Sequence, residues 1–143
     1  MADTRALFVY GTLRPGFAGA FGAAMRQRLS AEGDWIGAAA LEGQLFDLGR
    51  YPGVVEHTDV AAKSTVAGDV LSLREPEMTW PWLDRYEGID PVRPESSEYE
   101  RVVRPVKLMS GELVDAWVYL LARYPEHGRL IAPGDWLDDG ESR

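Results

Sequence analysis

The sequence contains no cysteine and only two histidines, His57 and His127, among its 143 residues. Without cysteine there is no disulfide, no thiolate nucleophile and no cysteine-ligated zinc site. Two histidines exclude a histidine-rich metal centre, and a Ser-His-Asp arrangement would need one of them. Because no Gly-x-Ser-x-Gly motif occurs, we interpret both histidines as structural or surface residues.

Positive charge and long apolar runs are also scarce. The chain has 15 Lys and Arg against 23 Asp and Glu, for a net charge of -8, so we expect no nucleic-acid partner. The apolar run at residues 6–10 is too short for a secretion signal, and the run at residues 113–122 is interrupted by Asp115 and too short to span a bilayer. We therefore expect a soluble, cytoplasmic protein that does not enter membranes.

What the sequence does contain is typical of a globular protein. Its length suits one domain covering residues 1–143, and its 45% hydrophobic residues, 15 Gly and 9 Pro indicate short elements separated by turns. We expect residues 124–143 to lie on the surface, with an acidic tail from about residue 137.

The apolar pattern contains seven strand candidates, from which we expect about six short strands, with one or two helices interspersed. The predicted strands are residues 6–10, 35–41, 44–48, 54–57, 65–73, 98–109 and 112–121, and the last two form a hairpin through Ser110-Gly111. One helix is predicted at residues 19–31. A second is predicted to begin at Pro81, the position that proline favours, and to end at Glu87 before a left-handed Gly88.

These elements predict an α+β fold, a small mixed β-barrel of about six strands with flanking short helices. Long helices are too few for a doubly wound parallel sheet. Barrels of this size commonly hold one small ligand at a mouth, where loops meet strand ends.

The first candidate site is "YGTLRPG", directly after the first strand. Gly11 allows close approach of a ligand to the backbone, and the N–H groups of Gly11, Thr12 and Leu13 form a concave nest that can bind a carboxylate. Arg14 would add charge at the rim. An ordinary turn between a strand and a helix is the alternative interpretation.

The second candidate site is Glu87 in "LDRYEG", at the end of the second predicted helix. Apolar neighbours and the helix C-terminus would both raise the pKa of this carboxyl group, which suits a group that accepts and returns a proton near neutral pH. An exposed glutamate before a helix-ending glycine is the alternative. Asp84 and Arg85 are interpreted as its solvated neighbours.

In this order, the two motifs resemble those of the γ-glutamyl cyclotransferase-like superfamily. Its members open with a strand followed by Tyr-Gly-(Ser/Thr)-Leu and later carry an acidic Leu-Asp-x-x-Glu-Gly motif. Further similar pieces are "YPGVV", "GDVLSL", "YERVVRPV", "AWVYLL" and "PGDW", so the resemblance covers nearly the whole chain. It is closest to the short, general γ-glutamylcyclotransferase and γ-glutamylamine cyclotransferase-like branch.

The resemblance implies a site and a reaction. The backbone at Tyr10, Gly11, Thr12 and Leu13 would hold a γ-glutamyl group, Glu87 would be the catalytic acid and base, and Tyr99 and Tyr119 would line the pocket. The α-amine of the substrate would attack its own γ-carbonyl and release 5-oxoproline, with no metal and no organic cofactor. The implied partner is a small γ-glutamyl compound, and we expect a monomer or weak homodimer.

Neither the leaving group nor the type of reaction follows from the sequence alone. Other branches carry polar residues after the first motif, where this chain has "FAGAFGAAM", so its leaving group can differ. The alternatives to a cyclotransferase are a hydrolase of a γ-glutamyl amide and a non-catalytic module that binds or senses a small molecule on the same fold.

Overall fold

Strands are the main regular elements of this computed structural model, which describes residues 4–56, 64–131 and 134–137. The strands are β1 (Ala6–Val9), β2 (Gly33–Glu42), β3 (Gln44–Asp47), β4 (Pro52–Val55), β5 (Thr65–Leu73), β6 (Tyr99–Leu108), β7 (Leu113–Leu121) and β8 (Arg129–Leu130). The α-helices are α1 (Ala23–Ala31) and α2 (Pro76–Tyr86), and a short 3₁₀ helix covers Pro94–Ser96.

Five of the strands form a closed barrel in the order β1-β5-β2-β6-β7, and β3 lies between β4 and β8 in a separate sheet. The barrel closes where β1 runs parallel to β7, with Leu7 opposite Trp117. The predicted α+β barrel with flanking helices is confirmed. Its strand count differs slightly, because β3 and β4 pair with each other outside the barrel and β8 has only two residues.

The predicted hairpin of β6 and β7 is confirmed, with an unbroken register from Tyr99 opposite Leu121 to Lys107 opposite Leu113. Gly111 in its connection has a φ of 96°, a left-handed conformation that favours glycine. The Ser-Gly pair therefore identified the turn correctly.

Strand β1 is buried on both faces, and the molecule has two apolar clusters. On β7, Ala116 and Val118 belong to the cluster inside the barrel. Trp117 and Tyr119 alternate with them and point to the second cluster, between the barrel and the helices. Alternation along a strand thus supplies both clusters, and residues of both line the candidate site.

Helix α2 begins earlier than predicted. Its first residue is Pro76, whereas Pro81 lies inside the helix, so the predicted start at Pro81 is wrong. A proline inside a helix removes one backbone hydrogen bond, and here Pro81 is on the solvent-exposed side. The end was predicted correctly to within one residue: Glu87 follows the last helical residue, and Gly88 has a φ of 79°.

Helix α1 is shorter than the predicted 19–31, because Gly22 has a φ of 77° and residues 19–22 form a turn. His127 is exposed, whereas His57 and the tail after Leu137 lie outside the described residues. Trp136 is completely buried in the barrel core, so the predicted surface location fails for this part of the C-terminal segment. No helix in the described ranges is long and apolar enough to cross a membrane.

Candidate active site

A cavity of about 140 Å³ lies where β1 ends, beside the C-terminus of α2. Its wall brings together all seven residues that the sequence singled out: Tyr10, Gly11, Thr12, Leu13, Glu87, Tyr99 and Tyr119. The other residues of the wall are Phe8, Val9, Phe21, Tyr51, Pro52, Tyr86 and Glu98. The two sequence motifs therefore face one enclosed space, although more than seventy residues separate them along the chain.

The turn after β1 places free backbone donors in this wall. The N–H of Arg14 donates to the carbonyl oxygen of Gly11 at 3.1 Å and closes the turn. No described residue accepts a hydrogen bond from the N–H groups of Gly11, Thr12 and Leu13, and all three residues are buried. Buried N–H groups without acceptors are rare in folded proteins, so these donors indicate a place for an anionic ligand.

Gly11 is required by a close approach of another segment. A Cβ atom at this position would lie 2.7 Å from Cγ and Cδ of Pro52, at the start of β4. Such a distance is far inside van der Waals contact, so any side chain here would push the turn away from β4. The glycine in the first motif thus fixes the cavity wall as well as the turn.

Arg14 does not supply charge at the rim, contrary to the sequence-based expectation. Its side chain is buried, with Nε 2.7 Å from Oδ2 of Asp69 and a guanidinium nitrogen 2.9 Å from Oδ1 of Asp135. It does not line the cavity. Arg14 instead ties the turn to β5 and to the C-terminal segment.

Arg26 of α1 holds the turn from the other side. Its guanidinium group donates to the carbonyl oxygens of Thr12 at 2.7 Å and Gly19 at 2.8 Å. These bonds engage the carbonyl side of the turn and leave the N–H groups of the same turn unused. Helix α1 therefore positions the turn without filling its donors.

Glu87 is set at the end of α2, where its N–H donates to the carbonyl oxygen of Leu83 at 2.9 Å. Its side chain faces the cavity and is half-buried. Burial, and then the negative charges of Glu98 and Asp84, raise the pKa of Glu87 from its usual 4.5 to about 8. A carboxyl group with this pKa can both accept and donate a proton near neutral pH.

The three tyrosines of the predicted site use their hydroxyl hydrogens within the protein. Tyr10 donates to the carbonyl oxygen of Tyr119 at 2.6 Å, Tyr99 to that of Pro52 at 2.7 Å, and Tyr119 to Oδ1 of Asp84 at 2.6 Å. Burial raises the pKa of each of these tyrosines. They therefore stay neutral, and their rings line the cavity wall.

Asp84 is not a solvated neighbour, because it forms an ion pair with Arg101. The guanidinium Nε lies 2.9 Å from Oδ1 of Asp84, and a second nitrogen lies 3.2 Å from Oδ2. The guanidinium carbon of Arg101 stands 4.0 Å from the ring centroid of Trp80 and 4.7 Å from that of Trp117. The ion pair and the two tryptophan rings hold Asp84 in place, and Asp84 in turn accepts the hydrogen bond that orients Tyr119.

Glu98 is a cavity residue that the sequence reasoning missed. It precedes β6 and accepts a hydrogen bond from the hydroxyl of Tyr51 at 2.7 Å. This bond, followed by burial and the charges of Glu98 and Glu87, raises the pKa of Tyr51 to about 12. The available signal was its position directly before Tyr99, the first residue of "YERVVRPV".

Among the described residues, the cavity wall contains two carboxylic side chains, Glu87 and Glu98, and no Lys, Arg or His. Within the described ranges, no group of three or more Asp, Glu, His or Cys side chains is arranged to hold a metal ion. The wall offers two acidic groups, backbone donors and aromatic rings. This combination fits a small ligand that carries both an ammonium and a carboxylate group.

Comparisons with known proteins show which family the chain resembles. The family model described as gamma-glutamyl cyclotransferase, AIG2-like matches residues 7–138. The gamma-glutamylcyclotransferase family protein YtfP of Escherichia coli K12 is 28% identical over 139 residues, which cover 92% of this chain and 96% of that protein.

Solved structures of similar fold include the solution structure of YtfP from Escherichia coli. It matches with a TM-score of 0.58 and 28% identity over 93% of this chain and 96% of that chain. The uncharacterized protein PH0828 from Pyrococcus horikoshii matches with a TM-score of 0.60 and 19% identity, covering 94% of this chain and 90% of its own. An AIG2-like protein from Mus musculus has a TM-score of 0.60 and 19% identity, covering 87% and 82%. The last two matches concern the fold alone.

Proposed function

The chain belongs to the gamma-glutamyl cyclotransferase, AIG2-like family, and we propose that it releases 5-oxoproline from γ-glutamyl amines or amino acids. The observation that carries this proposal is that Glu87, with its pKa near 8, shares one small cavity with the unused N–H groups of Gly11, Thr12 and Leu13. A proton carrier and a carboxylate site are what this cyclisation requires.

The cavity suits the glutamyl end of such a substrate. Its volume of about 140 Å³ is close to that of a cavity of roughly 150 Å³ that binds benzene, so one short acyl group fits and a whole peptide does not. The N–H groups of residues 11–13 would receive the α-carboxylate. Glu98 and Glu87 would face the α-amino group, and the leaving group would extend out of the cavity.

The reaction would then proceed by ring closure. The neutral α-amine attacks the γ-carbonyl carbon and a C–N bond forms, while Glu87 as carboxylate accepts a proton from the attacking nitrogen. When the tetrahedral intermediate collapses, the bond to the leaving nitrogen breaks and Glu87 returns the proton to that nitrogen. Holding amine and carbonyl together contributes several kcal/mol, up to roughly 7–11 in favourable systems.

The direct test is an assay of the purified protein with a panel of γ-glutamyl amino acids and γ-glutamyl amines, in which products are identified by mass spectrometry. We expect 5-oxoproline and a free amine in equal amounts. Free glutamate instead of 5-oxoproline would identify a hydrolase that uses water in place of the internal amine. Saturable binding with no product from any member of the panel would identify a non-catalytic binding module.

The acidic pair in the cavity predicts a change in pH dependence. Wild-type kcat/KM should rise with pH through about 8, since Glu87 must be ionised to act as the base. Glu98→Gln removes the charge that contributes most, after burial, to the raised pKa of Glu87. The midpoint of the pH profile should therefore fall, by on the order of one pH unit.

Tyr51→Phe is the matched control for this profile. It deletes the hydroxyl that donates to Glu98 and leaves the charge of Glu98 in place. Its midpoint should not move to lower pH. A Glu98→Gln profile with the same midpoint as wild type would contradict the proposed coupling of the two carboxylates.

A further inference from the structure

A second depression opens beside the cavity, and we refer to it as the outer groove. Its lining residues are Phe17, Gly19, Ala20, Phe21, Gly49 and Arg50, and its volume is about 480 Å³. Phe21 lines both spaces. A ligand that leaves the cavity past Phe21 therefore enters the outer groove.

The junction between the two spaces is aromatic. The ring of Phe21 stacks on that of Tyr51, with the centroids 6.2 Å apart and the planes at 16°. Phe21 is nevertheless 37% exposed, so part of its surface is open to a ligand. Ala20 beside it is exposed and has only a methyl side chain, which leaves room for an apolar group, whereas the space next to Gly19 is filled by the ring of Phe17.

Arg50 gives the outer groove a positive charge that the cavity lacks. Its guanidinium carbon lies 6.0 Å from the ring centroid of Phe21, and its side chain is exposed. No carboxylate among residues 4–56, 64–131 and 134–137 pairs with it. By contrast, Arg14 and Arg101 near the cavity are both committed to ion pairs. A cation left unpaired in a protein of net charge -8 is available for an anionic ligand.

We propose that the outer groove binds the leaving group and selects an α-amino acid with an aromatic or large apolar side chain. The side chain lies against Phe21, and the α-carboxylate, one carbon from the leaving nitrogen, pairs with Arg50. This inference rests on the proposed function, which places the glutamyl end beside Glu87. It narrows the substrate class from γ-glutamyl compounds in general to γ-glutamyl derivatives of such amino acids.

A comparison of two substrates tests whether Arg50 binds the carboxylate of the leaving group. γ-Glutamyl-phenylalanine and the γ-glutamyl amide of 2-phenylethylamine differ only in the carboxylate of the leaving group. Arg50→Gln should lower kcat/KM about fivefold for the first substrate, as expected for one exposed ion pair, and leave the second unchanged. Arg93→Gln, which removes an exposed arginine outside both linings, should change neither.

A third substrate tests the aromatic part of the proposal. γ-Glutamyl-glycine keeps the carboxylate and lacks the ring, so wild type should cleave it less efficiently than γ-glutamyl-phenylalanine. Equal kcat/KM for these two substrates would overturn the role of Phe21. Equal effects of Arg50→Gln on the phenylalanine and phenylethylamine substrates, or no effect on either, would overturn the role of Arg50.

The outcomes also distinguish this inference from the function on which it rests. If 5-oxoproline is released from all three substrates with no discrimination, the cyclotransferase proposal stands and the outer-groove inference fails. If wild type releases 5-oxoproline from none of them, both fail.

Discussion

Replacing Glu87 with Gln is expected to lower 5-oxoproline release by a factor on the order of 10²–10⁴, the usual contribution of one general acid and base. Glutamine keeps the size of the side chain, but it can neither accept the proton of the attacking amine nor return it to the leaving nitrogen. The measurement is kcat/KM at pH 8 with a γ-glutamyl amino acid that wild type turns over.

Glu77→Gln is the matched control, because Glu77 is an exposed residue of the same helix, α2. Its activity should equal that of wild type. Full turnover by Glu87→Gln would remove the proton-carrier role assigned to Glu87, whatever the products.

The stability of Glu87→Gln distinguishes lost chemistry from lost folding. Folding raises the pKa of Glu87 from 4.5 to about 8, because the folded protein favours the neutral carboxyl group. Wild type therefore has its full stability below pH 4.5 and loses part of it as pH rises through 8. At one pKa unit per about 1.4 kcal/mol, the penalty above pH 8 is on the order of 5 kcal/mol at most. At pH 9, the free energy of unfolding of Glu87→Gln should therefore be higher than that of wild type.

Trp136→Ala is expected to lower the free energy of unfolding by about 3–5 kcal/mol, the usual cost of removing a buried tryptophan. Trp136 is completely buried and belongs to the cluster inside the barrel. Small domains are stable by only about 5–15 kcal/mol, so this single change would remove a large part of the total. Urea denaturation followed by circular dichroism measures the loss.

Leu137→Ala is the control for Trp136. Leu137 is the next residue and is 36% exposed, so its truncation should cost about 1 kcal/mol or less. Equal losses for the two variants would show that the segment as a whole, and not the tryptophan side chain, carries the effect.

The sequence predicted the candidate site better than the surroundings of that site. Gly11 and Glu87 stand in short motifs whose backbone and charge chemistry is local, and the wall of one cavity includes both. The environment of Arg14 could not be predicted, because its partners Asp69 and Asp135 are 55 and 121 residues away in the chain. Only the closed barrel brings these three side chains together.

The same reason explains the elements that were missed. The two-residue strand β8 has no periodicity of its own, and it exists because Phe46 of β3 pairs with Leu130. Likewise, a proline inside a predicted helix usually marks a boundary, and only the position of Pro81 on the exposed side of α2 shows why the helix continues. Which strands pair, and which side of a helix faces solvent, are decided by the tertiary structure.

The parallel pairing of Leu7 with Trp117 has a consequence for how the protein reaches its native state. Strand β1 can pair with β5 earlier, but the barrel closes only through a partner about 110 residues later in the chain, and contacts of such high sequence separation slow folding. During synthesis on a ribosome, the turn at Gly11 would remain without its cavity until β7 has emerged. The proposed catalytic activity should therefore appear late, together with closure of the barrel and not before it.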